Sequence, residues 1–183
     1  MRTAQDEDNK LMVEGYALVF DAPTVIWEYD GVQYKEVIER GALDGADMYD
    51  VPFKYNHSSN VMVMARTRNK TLQLAIDEKG LFVRADLALT TTGKDLYTLI
   101  QRGDIDKMSF AFSVEEDEYD SKTHTRRIKK FRRIYDVAAV DVPAYEQTSI
   151  SARGFFELER EKELALERAS ELRKKHLLLK TYL

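Results

Sequence analysis

Two residues of this chain, Ser109 and His57, have side chains and settings that could support nucleophilic catalysis. A serine hydroxyl becomes a nucleophile when a histidine takes its proton and a third group, normally a carboxylate, orients that histidine. Ser109 lies within residues 107–114, KMSFAFSV, where large apolar side chains alternate with small ones. This alternation predicts a strand with Ser109 on the face of small residues, where we expect its hydroxyl to be approachable. The alternative is a half-exposed strand serine with no chemical role.

The three histidines of the chain have different settings. His57 follows the apolar stretch 51–56 and precedes a polar cluster typical of a turn, so we expect it at the end of a strand. His124 lies in a polar turn and His176 in a charged segment, and the simplest interpretation places both in solvent. His57 is therefore the candidate base, although sequence spacing alone does not pair it with Ser109.

The composition argues against several other kinds of chemistry. The chain has no cysteine, so it contains no disulfide, no thiolate zinc site and no cysteine nucleophile, and a reducing compartment suits it. Three scattered histidines also argue against a transition-metal site, and we expect no cofactor. The net charge of −4 gives no overall basic field, so we expect no nucleic-acid partner. The chain has no long apolar run of the kind found in signal peptides and membrane-spanning helices, so we expect neither secretion nor membrane insertion.

The segments that must position Ser109 and His57 predict mostly strands. Before residue 90 the candidates are residues 11–20 with a bulge or close approach at Gly15, residues 27–38 around the turn Asp30–Gly31, and the hairpin of residues 71–77 and 81–88 around Gly80. After residue 105 they are residues 107–114, a basic return strand at 126–135 and a further apolar strand at 137–142. We therefore expect Ser109 to lie in a long hairpin.

Two segments have helical periodicity. Residues 90–102 carry an i, i+3, i+4 apolar stripe, with Thr91 or Thr92 as N-cap and Gly103 as the C-terminal stop. Beyond Arg153 the composition changes to Glu, Leu, Lys and Arg, which predicts one long helix over 155–182. That helix could pack on its own domain or dock to a partner. Residues 149–154 have small side chains and turn character, so we expect an accessible linker and a site of self-cleavage there.

A series of short motifs recurs in order over most of the chain. They are Gly15-Tyr16-Ala17, Gly41-Ala42-Leu43, Tyr55-Asn56-His57, Gly80-Leu81, the run from Gly103 to Phe112, Asp136-Val137-Ala138-Ala139-Val140 and Pro143-Ala144. In this order and spacing the chain resembles the prohead protease family of tailed phages, which is akin to the herpesvirus assemblins.

The resemblance implies a fold, an activity and a setting. The fold is α+β, a mostly antiparallel β-barrel flanked by helices, as in the assemblins, with a long C-terminal helix. We accordingly expect a protease barrel domain over residues 1–153 and a charged amphipathic helix over 154–183. The activity is that of a serine endopeptidase acting on the phage major capsid or scaffold protein, with self-association and with no membrane partner. Its location is the host cytoplasm, inside the assembling prohead.

The resemblance also assigns roles to residues. Ser109 matches the nucleophile and His57 the base. The third member departs from the usual family motif, which has a glutamate where this chain has Asp136. Asp136 is the expected acid, and Asp141 is the alternative. The oxyanion hole is not located by the motifs; Arg132 and Arg133 could supply backbone amides, although a solvated basic strand is the simpler interpretation.

Three other functions compete with the protease. The first is a non-catalytic capsid assembly or scaffolding module, in which Ser109 and His57 merely pack. The second is a hydrolase of small esters, and the third is a module that binds a ligand in a barrel cavity. The distance between Ser109 and His57 distinguishes the catalytic functions from the non-catalytic ones, because every catalytic function needs the two side chains near each other.

Overall fold

The computed structural model describes residues 1–4, 10–141 and 149–181, which form an α+β fold made mostly of strands. In chain order the strands are β1 (Arg2–Ala4), β2 (Leu11–Val19), β3 (Thr24–Tyr29), β4 (Val32–Ile38), β5 (Pro52–Tyr55), β6 (Ala65–Arg66), β7 (Leu72–Ile76), β8 (Gly80–Leu87), β9 (Lys107–Asp120) and β10 (Thr125–Val140). The helices are a short 3-10 turn at Thr67–Asn69, α1 (Thr91–Arg102) and α2 (Ser149–Thr181). Within these described ranges, neither α-helix is both long enough and apolar enough to cross a membrane.

The strands form two sheets rather than one closed barrel. The first sheet has the order β1-β2-β8-β7, and the second has the order β3-β4-β10-β5-β6 with β9 on the other edge of β10. All pairs are antiparallel except β10 with β4 and β10 with β5. The predicted class, mostly antiparallel α+β with a long C-terminal helix, is confirmed. The predicted closed barrel is not found, because no ladder joins the two sheets within the described residues, and they share one apolar core instead.

The second sheet is built around β10, which the sequence predicted as two strands. The structure has one continuous strand from Thr125 to Val140 where a break between 135 and 137 was expected. No glycine or proline interrupts this stretch, and the irregularity takes the form of a bulge between Ile134 and Asp136. As a result the C-terminal half of β10 runs between β9 and β5, the strands that carry the candidate nucleophile and lead to the candidate base.

The short-range hairpins agree with the prediction. The pair β7 and β8 turns at Asp77, whose carboxylate accepts hydrogen bonds from the backbone N–H groups of Lys79 and Gly80. The pair β3 and β4 turns at Asp30–Gly31, where both residues have positive φ angles. The predicted close approach at Gly15 is confirmed, since a Cβ there would lie 2.9 Å from Met1 Cα. The bulge in β2 falls between Tyr16 and Leu18 rather than at the glycine.

Helix α1 agrees with the prediction except at its first residue. The N-cap is Thr90 rather than Thr91 or Thr92, because its side chain accepts a hydrogen bond from the N–H of Gly93. Gly103 ends the helix in the left-handed conformation, as expected. The next strand, β9, begins four residues later at Lys107.

Helix α2 begins earlier than predicted and packs on the sheet through its first turns. The expected linker at 149–154 is wrong, since the helical backbone already begins at Ser149. Phe156 is fully buried, with its ring against those of Tyr34 and Tyr119, and the guanidinium of Arg126 lies 4.2 Å from the ring centroid of Phe155. These aromatic contacts anchor the start of α2 on its own chain. Tyr182, the expected last residue, lies outside the described residues.

The anchoring by Phe156 leads to a prediction about truncation. Ending the chain after Arg153 removes this buried ring, and we expect the free energy of unfolding to fall by about 3 kcal/mol or more. Ending it after Glu163 keeps the aromatic contacts and removes a part whose leucines at 166 and 172 are exposed, so stability should change little. Urea denaturation of both truncated chains measures the difference. Equal stability of the two would show that α2 is not anchored by Phe156.

Candidate active site

The register of β10 places Ser109 on the same sheet face as a buried acid. Ser109 lies opposite Ala138 on β10, and Ala138 lies beside Lys54 on β5. Residues paired across strands point to the same face, and so does Asp136, two positions before Ala138. Ser109, Lys54 and Asp136 therefore share one face of the sheet, with the small side chain of Ala138 between Ser109 and Lys54.

Ser109 is less accessible than the residue pattern predicts, since it is only 3% exposed. The other face of β9 is apolar as predicted, with Phe110 buried and Phe112 packed against Phe131 at 4.8 Å between ring centroids. Ser109 borders a cavity that is also lined by Gly15 of β2, a strand far away in the sequence. A local alternation of residue types cannot show such a distant neighbour.

His57 lies in an uncommon turn at the end of β5. Asn56 and His57 have φ angles of 50° and 53°, in the left-handed region, which only a few per cent of non-glycine residues adopt. The turn is tied to the end of β10, because Asn56 N–H donates to the carbonyl of Ala139 at 2.9 Å and Asn56 Oδ1 accepts from the N–H of Asp141 at 3.2 Å. A strained backbone held in this way is typical of functional positions.

The structure brings His57 and Asp136 together. His57 Nδ1 lies 2.5 Å from Asp136 Oδ1, and both side chains are largely buried. A carboxylate at Nδ1 favours the tautomer with its proton on that nitrogen, which leaves Nε2 with a lone pair. His57 Nε2 is buried and has no hydrogen-bond partner among the described residues. The structure therefore contains an oriented imidazole, but no hydrogen bond joins it to Ser109.

Lys54 is a residue of this site that the sequence patterns did not point to. Its Nζ lies 3.0 Å from Asp136 Oδ2, so a lysine and a histidine each contact one oxygen of the same carboxylate. Burial raises the pKa of Asp136, but the hydrogen bonds from His57 and Lys54, together with nearby positive charge, outweigh burial and bring that pKa below its ordinary value. The available signal was a single cation inside the apolar stretch 51–56, three positions before His57.

Asp141, the alternative acid, has a different partner. The Tyr55 hydroxyl donates to Asp141 Oδ2 at 2.9 Å, and burial together with this carboxylate raises the pKa of Tyr55. The backbone N–H of Asp141 is the group that holds Asn56. Asp141 thus supports the turn that carries His57, while Asp136 contacts the imidazole itself.

The remaining predicted residues lie elsewhere. Arg133 is opposite Ser113, four positions along β9 from Ser109, which places its backbone about 13 Å away. Arg132 and Arg133 are exposed, so the solvated-strand interpretation holds for them. His176 is exposed as expected, whereas His124 is half-buried, 5.0 Å from the ring of Tyr34. No group of three metal-binding side chains occurs in the described part of the chain.

Comparison with known proteins gives a consistent result. The model of the caudovirus prohead serine protease family matches residues 1–161. The chain is also 32% identical over 143 residues to the prohead protease of Enterobacteria phage HK97, a match that covers 76% of this chain and 58% of that relative. The matched region thus spans less than two thirds of the HK97 protein's length. No solved structure matches the chain.

Proposed function

The chain belongs to the caudovirus prohead serine protease family, and from this premise we propose that it is a serine endopeptidase that cleaves capsid or scaffold proteins, and itself, during prohead maturation. The observation that carries the proposal is the 2.5 Å contact between His57 Nδ1 and Asp136, with Nε2 buried and unpartnered. It supplies the oriented base that serine catalysis requires. The nucleophile we assign is Ser109, on the same face of the sheet.

The proposed reaction is acyl transfer in two steps. Ser109 Oγ attacks the peptide carbonyl while its proton passes to His57 Nε2, and that proton is then given to the leaving amine. Water then attacks the resulting ester and gives a proton to His57, which passes it to Ser109 Oγ as the acyl–oxygen bond breaks and the acid product leaves. Asp136 accepts the hydrogen bond from Nδ1–H throughout, stabilising the imidazolium that forms between these steps.

The missing hydrogen bond between Ser109 and His57 is compatible with this reaction. Catalytic hydrogen bonds are often long in the free enzyme and shorten only when substrate is bound. Ser109 and Lys54 lie on the two strands that flank β10, so their backbones are about 10 Å apart. The imidazole of His57 contacts Asp136, which lies on β10 between these two strands. We propose that substrate binding brings Ser109 Oγ and His57 Nε2 within hydrogen-bond reach.

The local structure favours catalysis over a purely architectural role. A buried carboxylate that contacts a lysine through one oxygen and a histidine through the other is more typical of an active site than of a scaffolding surface. The family makes proteins of the immature capsid better substrate candidates than small esters. The proposed place of action is therefore the assembling prohead in the host cytoplasm.

The arrangement of the whole protein is part of the same proposal. We assign the protease to residues 1–153 and keep the relation to the assemblin fold as a hypothesis, since the described strands form two sheets. The tail, residues 154–183, is anchored at Phe156, and we assign contact with a second copy or a capsid protein to its exposed part beyond Glu163. The exposed leucines at 164, 166 and 172 support that assignment.

Co-expression with the capsid precursor of the same phage tests the proposed function and its acid together. We expect the wild-type chain to convert the precursor to a shorter product, identified by intact mass. Asp136→Asn should slow this conversion about 10⁴-fold, because an amide at that position favours the wrong imidazole tautomer. Asp141→Asn is the matched control and should process nearly as wild type. The reverse ranking would move the acid to Asp141, and an uncleaved precursor with the wild-type chain would contradict the protease itself.

A further inference from the structure

Each oxygen of the Asp136 carboxylate contacts a different side chain. Oδ1 is 2.5 Å from His57 Nδ1, and Oδ2 is 3.0 Å from Lys54 Nζ. Both partners come from β5 and the turn that follows it, three positions apart, whereas Asp136 belongs to β10. The hydrogen bonds from His57 and Lys54 are the main causes that lower the pKa of this carboxyl group against the effect of its burial. The acid is therefore held from two directions by one segment.

The two partners of Asp136 differ in when they carry charge. His57 must be neutral to accept the proton of Ser109, so in the resting enzyme it supplies a hydrogen bond but no countercharge. A buried carboxylate with no cation beside it tends to take up a proton, because burial disfavours its charged form. Lys54 keeps its charge before and after the proton moves, and its side chain is largely buried beside the carboxylate. It can therefore serve as the lasting countercharge of Asp136.

We propose that Lys54 is a positioning residue of the active site, which holds Asp136 ionised and fixes its rotation so that Oδ1 stays on His57 Nδ1. The inference rests on the proposed function. Were Asp136 to become protonated or rotate, Nδ1–H would lose its acceptor and the ring could adopt the tautomer with the proton on Nε2. That tautomer cannot accept the proton of Ser109, so Lys54 acts on the reaction through the other two residues.

Three substitutions separate the charge of Lys54 from its hydrogen bond. Lys54→Met removes both, Lys54→Gln keeps a hydrogen-bond donor without charge, and Lys54→Arg keeps the charge. The readouts are kcat, KM and the pH profile of kcat/KM on a synthetic peptide spanning the mapped cleavage site. Lys130→Met is the matched control, because Lys130 lies on β10 and pairs with Glu115 at 3.0 Å, away from Asp136.

We expect Lys54→Met to lower kcat about tenfold at neutral pH and to leave KM unchanged, since no substrate contact is lost. Loss of the neighbouring Lys54 cation makes it easier for the coupled Asp136–His57 pair to take up a proton, so the acid limb of the pH profile should move to higher pH. Lys54→Gln should show the same shift with a smaller loss of kcat at high pH. Lys54→Arg should have the wild-type acid limb, and so should Lys130→Met.

The outcome can be separated from that of the protease proposal. If Ser109→Ala is inactive while Lys54→Met and Lys54→Gln keep the wild-type pH profile, the role of Lys54 is wrong and the protease stands. If Lys54→Met does not fold, the acid limbs of Lys54→Gln and Lys54→Arg are compared instead, and the proposal requires that only the Lys54→Gln limb be shifted. A loss of kcat that is equal at every pH in both uncharged variants would also overturn the proposal, because it would show a structural role alone.

Discussion

Replacement of Ser109 by alanine is expected to reduce peptide hydrolysis about 10⁶-fold without unfolding the protein. The loss is large because the serine oxygen itself forms the acyl intermediate, and alanine has no atom that can replace it. Ser109 is almost completely buried, and alanine fits the same strand position beside Ala138, so the fold should tolerate the change. The measurement is the rate of capsid-precursor cleavage, with circular dichroism and thermal unfolding as the test of folding.

A second serine on the same strand provides the control. Ser113 lies four positions further along β9, on the same face, where its Oγ accepts a hydrogen bond from the Tyr135 hydroxyl at 3.3 Å. Ser113→Ala should leave cleavage near the wild-type rate. Cleavage by Ser109→Ala at a comparable rate would show that the nucleophile lies elsewhere in the chain.

Replacement of His57 by alanine is expected to cost as much as the loss of Ser109. Nucleophile and base act as one unit, so the double variant should be no slower than either single variant. The substitution removes the imidazole that contacts Asp136 but leaves Lys54 paired with that carboxylate, so the acid keeps a countercharge. Added imidazole should restore part of the activity, which it would not do if His57 only held the turn in place.

His124→Ala is a close control for His57→Ala. Both histidines are half-buried and both have left-handed backbones, with φ angles of 53° at His57 and 49° at His124. Any effect of placing alanine in that conformation is therefore shared by the two variants. We expect His124→Ala to process the precursor normally, and equal loss in both variants would point to folding rather than to catalysis.

Local sequence patterns correctly predicted the elements that form through contacts between residues close in sequence. The β7–β8 hairpin and helix α1 each contain their own periodicity and their own turn or cap residues, and both form as predicted. The hairpin at Asp30–Gly31 is of the same kind. In each case the contacts that matter join residues close in sequence, so propensity and periodicity describe them well.

The features that the sequence did not reveal depend on distant contacts. The parallel pairing of β10 with β4 and β5 joins segments far apart in the chain, and it extends β10 through Asp136 where an interruption was expected. Ser109 is buried beside residues of β2, and the turn at His57 contains no glycine to signal its left-handed backbone. Lys54 was missed for the same reason, because its partner Asp136 lies on another strand.

Covalent labelling by a serine-directed fluorophosphonate tests the assignment of Ser109 and His57 most directly. The reagent phosphonylates a serine only when a neighbouring base removes its proton, so the labelled residue identifies the nucleophile and the labelling rate reports on the base. We expect one adduct per wild-type chain, located at Ser109 by peptide mass mapping, absent in Ser109→Ala and strongly slowed in His57→Ala. An adduct on another residue, or continued cleavage of the capsid precursor by a chain fully labelled at Ser109, would contradict this assignment.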